Sequence, residues 1–206
     1  MLHPLKHQLN SMRIVLASGS PRRQELIQNL GIQQVELVPS TFEEGLNPKD
    51  FDSFPAFVEA TALGKCLEVA ERLKNDDKAP DLIISGDTIV ELNGQVYGKP
   101  KKNDVAFEML TELNGKTHTV YTGVVLKLGA EIVKFTESTK VTFGNVTAEQ
   151  IQAYVDTSEP LDKAGAYGIQ GIGGCFVEKI DGDFFTVVGL PLFRLSSEIC
   201  KLLKYK

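Results

Sequence analysis

An α/β fold built on a mixed sheet is predicted by three features of the sequence. Apolar, β-rich runs alternate with helical stretches over the first half of the chain, and strands of period 2 cluster after residue 117. The composition is that of an ordinary globular protein, with 42% apolar and 24% charged side chains in 206 residues. At about 150 residues per domain that length favours one domain, or one fold with two lobes, and it needs no disulfide or metal staple. The expected organisation is a short extension over residues 1–12 and a single domain over 13–206.

The elements follow from local chemistry. Residues 1–11 are too short and too polar for a secretory signal and read as a frayed extension. Arg13 to Ala17 form a buried strand, and a tight Ser18-Gly19-Ser20-Pro21 loop leads into a helix that closes at Gly31. Ser20 suits its N-cap and Pro21 its first position. Val35 to Val38 are extended, and a polar loop around Glu43-Glu44 precedes a long helix over 55–74, where Phe57, Val58, Ala62, Cys66, Val69 and Leu73 recur at helical spacing. Asp81 to Ser85 read as a buried strand ending at Gly86-Asp87. Asn93-Gly94 between two β-rich runs predicts a type I′ hairpin. A helix over 104–113 stops at Asn114-Gly115, and Thr117 to Phe143 form a long antiparallel hairpin turning near Gly129. Thr147 and Gln150 make a capping-box pattern for a helix to about Thr157. A glycine-rich stretch from Gly165 to Gly174 precedes a hairpin across Asp181-Gly182 and a last helix from Pro191 to Leu203.

Charge and cysteine usage exclude several classes. The 22 basic and 27 acidic side chains leave a net charge of −5, which opposes nucleic-acid binding. Cys66, Cys175 and Cys200 form no CxxC pair, so neither a disulfide framework nor a zinc site is expected. No apolar run approaches the roughly 20 residues of a membrane span, and the default location is the cytoplasm. A polyanion site must therefore be a local concentration of Lys and Arg.

Four stretches could supply such a site. In Ser18-Gly19-Ser20-Pro21-Arg22-Arg23, two arginines sit where a helix already carries partial positive charge. That placement makes sense beside a phosphate bound by backbone N–H groups, serine hydroxyls and guanidinium forks; the plain alternative is a solvated arginine pair. GxxxxGK[ST] is absent from the sequence, which disfavours P-loop NTPases. Gly86-Asp87-Thr88 places a carboxylate where it could hold Mg²⁺ or take a proton from water, or merely cap a turn. In Gly98-Lys99-Pro100 the proline holds Lys99 out of helical conformation, presenting its ammonium to phosphate or to solvent. Asp162-Lys163-Ala164-Gly165-Ala166-Tyr167-Gly168-Ile169-Gln170-Gly171 opens a glycine run that lets backbone approach a ligand closely, or serves packing alone.

In combination, SGSPRR, GDTIV, GKP and DKAGAYGIQG resemble the Maf family of nucleoside triphosphate pyrophosphatases over nearly the whole chain. The last segment is similar to the subgroup acting on dTTP and UTP. The resemblance implies an elongated mixed sheet flanked by helices, with two lobes around a cleft. It also implies hydrolysis of dTTP and UTP to nucleoside monophosphate and pyrophosphate. By resemblance Asp87 is the proton acceptor and Lys99 a second catalytic group. Ser18, Arg22, Arg23, Lys65, Thr88, Lys163 and Gln170 bind substrate, with Arg22, Thr88 and Gln170 governing substrate choice. Mg²⁺ or Mn²⁺ would be held by Asp87 and Glu44, and the roles of base and metal ligand both remain open to Asp87. A Gln170 amide offers a donor and an acceptor to the O4 and N3–H of uracil or thymine, though a flipped amide would serve cytosine. The rival is a nucleotide-binding regulator of cell division or septum formation with little turnover, a role that needs no water-activating carboxylate. The expected partner is a small-molecule nucleotide, with no membrane; exposed strand edges in the long hairpin would suit a homodimer.

Overall fold

A computed structural model describes residues 2–32, 34–43 and 45–204 as an open mixed sheet flanked by helices. The strands are β1 (Ile14–Ala17), β2 (Val35–Leu37), β3 (Leu82–Leu92), β4 (Gln95–Tyr97), β5 (Thr117–Leu128), β6 (Glu131–Phe143) and β7 (Val177–Asp181). Their order is β2-β1-β3-β5-β6-β7, with β4 pairing to β3. Parallel pairing sets Ile14 opposite both Val35 and Leu82, while β4 on β3 and β7 on β6 are antiparallel. All four residues of β1 are buried, as expected of a strand with parallel neighbours on both sides. The helices are α1 (Lys6–Ser11), α2 (Pro21–Asn29), α3 (Phe54–Leu73), α4 (Asn103–Leu113), α5 (Ala148–Val155), α6 (Phe184–Val188) and α7 (Leu192–Leu202). Among the described residues no helix is long and apolar enough to cross a membrane.

Packing divides the chain into two compact units. The first takes residues up to Asp87, with Thr122–Glu137 and Gly189 onward; the second takes Thr88–Tyr121 and Ser138–Val188. In the first, the α3 stripe of Ala62, Cys66 and Val69 packs on Val15, Ala17, Ile83 and Val125. Gly123 makes the close approach possible, because a Cβ there would lie 2.7 Å from the Val58 carbonyl carbon of α3. The core of the second gathers Val90 of β3, Leu110 and Leu113 of α4, Val120, Val141 and Phe143 of β5 and β6, and Ile151 of α5.

Several local signals are realised as sequence chemistry dictates. Asn93 and Gly94 both have positive φ (52° and 82°), which makes the two-residue type I′ turn between Leu92 and Gln95. Both halves of the Thr147–Gln150 capping box are formed. Gly31 (φ +78°) ends α2 in the left-handed region, its N–H donating to Gln28 O at 2.9 Å.

Four expectations need correction. The N-terminal segment is folded rather than frayed: Leu2, Leu5 and Leu9, at spacings of three and four, are all buried. Ser20 occupies the N-cap position of α2, yet its side chain makes no capping bond, and its own N–H donates to Ser18 Oγ instead. The strand opening at Leu82 does not end at Gly86-Asp87 but runs on to Leu92, so Asp87 lies within β3. Pairing with β4 through Val90, Glu91 and Leu92 extends it beyond the run that the sequence marked. No hairpin crosses Asp181-Gly182 either. Asp183 Oδ2 there accepts from the N–H and Oγ1 of Thr186 (2.7 and 2.9 Å), which starts α6 directly after β7.

One buried polar group makes stability depend on pH. His118 is 1% exposed, edge-on to Phe143 and Tyr167, with Nε2 2.9 Å from the Tyr167 hydroxyl and Nδ1 without a hydrogen-bond partner. Burial pushes its pKa down from 6.5 to about 4. Between those values the unfolded chain binds a proton that the folded one refuses, so stability is intact above pH 6.5 and falls as the pH approaches 4. At about 1.4 kcal/mol per pKa unit the loss reaches roughly 3 kcal/mol. Urea unfolding at intervals across this window should show that slope, and His118→Phe should flatten it.

Candidate active site

The first unit holds five of the residues singled out from sequence. β1 ends at Ala17 and α2 starts at Pro21, so Ser18, Gly19 and Ser20 form the intervening turn. The buried Ser18 hydroxyl oxygen accepts from Ser20 N–H and from Arg23 Nη1, each at 3.2 Å. Arg23 is itself buried, and its Nε donates to Gly189 O at 2.8 Å. Gly86 leaves room for that guanidinium, since a Cβ there would stand 3.2 Å from Arg23 Nε. Arg23 thus spends at least two of its donors on protein and holds the turn in shape, while Arg22 lies half-buried in the first turn of α2.

Lys65 of α3 reaches Asp87 of β3. Its Nζ lies 2.8 Å from Asp87 Oδ1, and each side chain is only 13% exposed. The pair fixes a carboxylate on a rigid strand, with part of its surface still open to a ligand. The adjacent Cys66 offers no nucleophile, because burial pushes its thiol up to about 11, only partly offset by Ser85 and Lys127.

The second unit holds four more. Thr88 follows Asp87 along β3 and is half-buried. The Gly98-Lys99-Pro100 loop is joined to the glycine-rich segment by two backbone bonds, Gly165 N–H to Gly98 O (3.2 Å) and Lys101 N–H to Leu161 O (3.3 Å). Two stretches far apart in sequence therefore meet, and Lys99 in the first of them is exposed. Gly165 requires its lack of side chain twice over: φ is +68°, and a Cβ would lie 2.7 Å from Val90 Cγ2. Lys163 Nζ donates to Glu159 O (2.7 Å) and to the Asp162 carboxylate (2.6 Å). Gln170 is exposed in a turn closed by Gly171 N–H to Gly168 O at 3.1 Å.

Sequence reasoning missed Glu159 and Tyr154. The Glu159 carboxylate accepts from Tyr154 Oη (2.9 Å), Ile172 N–H (3.0 Å) and Gly173 N–H (3.1 Å). Burial raises its pKa, but the bonds from Gly173, Ile172 and Tyr154, with Lys163 nearby, outweigh it and bring the net value below the usual range. A carboxylate a few residues ahead of a glycine run, where backbone N–H groups lack regular partners, was the available signal.

Glu44, the second expected metal ligand, lies outside the described residues. Among the described residues no group of three or more His, Cys, Asp or Glu could cage a metal ion. A single carboxylate does fit a hard cation that takes most of its oxygens from substrate phosphates and water, as Mg²⁺ commonly does.

The Maf-like protein family model matches residues 13–202. A dTTP/UTP pyrophosphatase of Bacillus cereus (strain ATCC 10987 / NRS 248) is 45% identical over 97% of this chain and 94% of its own length. One from Clostridium novyi (strain NT) is 46% identical over 89% of this chain and 94% of its own. A human protein named probable bifunctional dTTP/UTP pyrophosphatase/methyltransferase is 42% identical over 98% of this chain, which spans only 34% of that protein. With the family model covering all but the two ends, and with the turn, carboxylate and glycine-rich segment inside the matched region, this chain belongs to the Maf family.

Proposed function

We propose that the chain is a nucleoside triphosphate pyrophosphatase that hydrolyses dTTP and UTP to the nucleoside monophosphate and pyrophosphate. The observation that carries this is the Asp87 carboxylate, 13% exposed and held 2.8 Å from the Lys65 ammonium, in the unit that also folds the Ser18–Arg23 turn. The choice of dTTP and UTP comes from the names of the relatives.

A nucleoside triphosphate brings about four negative charges, which cations must offset before water can approach phosphorus. Arg22 and Lys65 act on the phosphates directly, and Arg23 shapes the turn that offers Ser18. By the family resemblance Lys99 and Lys163 add positive charge, and Thr88 and Gln170 take part in the choice of substrate. Asp87 orients a water and accepts its proton as the water oxygen bonds to the α-phosphorus. The bond from that phosphorus to the α–β bridging oxygen breaks, and pyrophosphate leaves. Mg²⁺ or Mn²⁺ would be held by Asp87, with Glu44 as the second expected ligand, and would supply further neutralisation of phosphate charge. Three free cysteines and a nucleotide substrate suit a reducing cytoplasm.

The test is a panel of common and modified triphosphates incubated with and without Mg²⁺. Equal amounts of monophosphate and pyrophosphate should appear, fastest from dTTP and UTP; tight binding without turnover would instead support a nucleotide-sensing regulator. Lys99→Ala should lower kcat by roughly 10²–10³, the usual effect of removing one preorganised donor. Ordinary kcat in that variant removes Lys99 from the chemistry.

A further inference from the structure

We infer that Glu159 is the positioning residue that sets base selectivity, by clamping the glycine-rich loop on both sides of Gln170. The inference rests on the base-reading role proposed for Gln170. Downstream of Gln170, the two carboxylate oxygens take separate backbone donors: Oε2 accepts from Ile172 N–H at 3.0 Å and Oε1 from Gly173 N–H at 3.1 Å. Upstream, the contact runs through Tyr154, whose hydroxyl donates to Glu159 Oε1 (2.9 Å) and accepts from Gly168 N–H (3.1 Å). Gln170 itself is exposed; Ile172 and Gly173, two and three residues after it, bond this carboxylate directly, and Gly168, two before it, is tied to the carboxylate through Tyr154.

The glycines of the loop have the shape this clamp demands. A Cβ at Gly171 would lie 2.5 Å from Glu159 Oε1, and one at Gly173 would lie 2.5 Å from the Tyr154 hydroxyl. The same residue also steadies a cation, since the Glu159 carbonyl accepts from Lys163 Nζ at 2.7 Å. Ionisation matters as much as shape. Four acceptor lone-pair positions on a carboxylate can meet three donors, whereas an amide in either orientation turns an N–H₂ toward one of the two loop N–H groups. A loop released on one side lets the Gln170 amide sample both orientations, and thymine or uracil then loses its advantage over cytosine.

The test compares kcat and KM for dTTP, UTP, dCTP and CTP in the wild type, Glu159→Gln, Tyr154→Phe and Gln170→Ala. Glu159→Gln should raise KM for dTTP and UTP about tenfold and cut their preference over the cytosine nucleotides about tenfold, on the scale of one lost hydrogen bond, with kcat within about twofold. Tyr154→Phe should move the ratio the same way by less, and it decides the matter if Glu159→Gln fails to fold. An unchanged base preference in a folded Glu159→Gln, with Gln170→Ala altered, overturns the clamp and leaves the proposed function standing. An unchanged preference in Gln170→Ala instead removes the base-reading role and the inference with it.

Discussion

Asp87→Asn leaves a folded protein with pyrophosphate release from dTTP reduced by at least about 10³. The amide keeps the size and one acceptor oxygen of the carboxylate but can neither take a proton from water nor give a cation an anionic ligand. Asp87 is only 13% exposed within β3 and pairs with Lys65 at 2.8 Å, so the amide leaves that ammonium with a neutral acceptor and should cost roughly 1–3 kcal/mol, which lowers the melting temperature without unfolding the chain. Circular dichroism and thermal melting would confirm the fold while a pyrophosphate assay reads the turnover. A folded Asp87→Asn enzyme that hydrolyses dTTP at the wild-type rate refutes the role assigned to this carboxylate.

Lys65→Ala should lower kcat by roughly 10²–10³, for a different reason. Lys65 Nζ sits 2.8 Å from Asp87 Oδ1, so its removal frees the carboxylate to rotate and withdraws a positive charge at the same point. Lys65→Arg restores the charge but presents a planar fork in place of a compact ammonium, and should recover only part of the turnover. Steady-state kinetics on the two variants separate charge from geometry. Equal activity in Lys65→Ala and wild type removes Lys65 from the mechanism; recovery in Lys65→Arg that matches wild type assigns it a purely electrostatic part.

The elements that sequence reasoning placed well are those whose determinants lie within a few residues of one another. Asn93-Gly94 dictates its own turn, Thr147 and Gln150 satisfy each other, and Gly31 stops α2 because the left-handed conformation is cheap there. Leu2, Leu5 and Leu9 carried the same kind of signal, but their polar neighbours obscured it. Errors arose where the deciding partner is distant. The extent of β3 beyond Gly86 depends on its pairing with β4, so Asp87 was placed at a strand end rather than inside a strand. For the site, residue types and motifs were legible, and pairings were not. Lys65 meets Asp87 across 22 residues, and Arg23 meets the Gly189 carbonyl across 166, a bond no local pattern announces. Glu159 escaped notice because two of its three donors are backbone N–H groups, which every sequence possesses.

The Arg23–Gly189 bond also bears on how the protein is made. During synthesis Ser18 and Arg23 emerge well before the carbonyl that seats Arg23, which lies 166 residues further on, and the first unit is interrupted by two long excursions in between. Closing such wide loops is slow, and unfinished β-rich intermediates expose unpaired edges. The nascent chain therefore carries the serine–arginine turn without this latch until the segment around Gly189 has been made and has docked, 166 residues after Arg23.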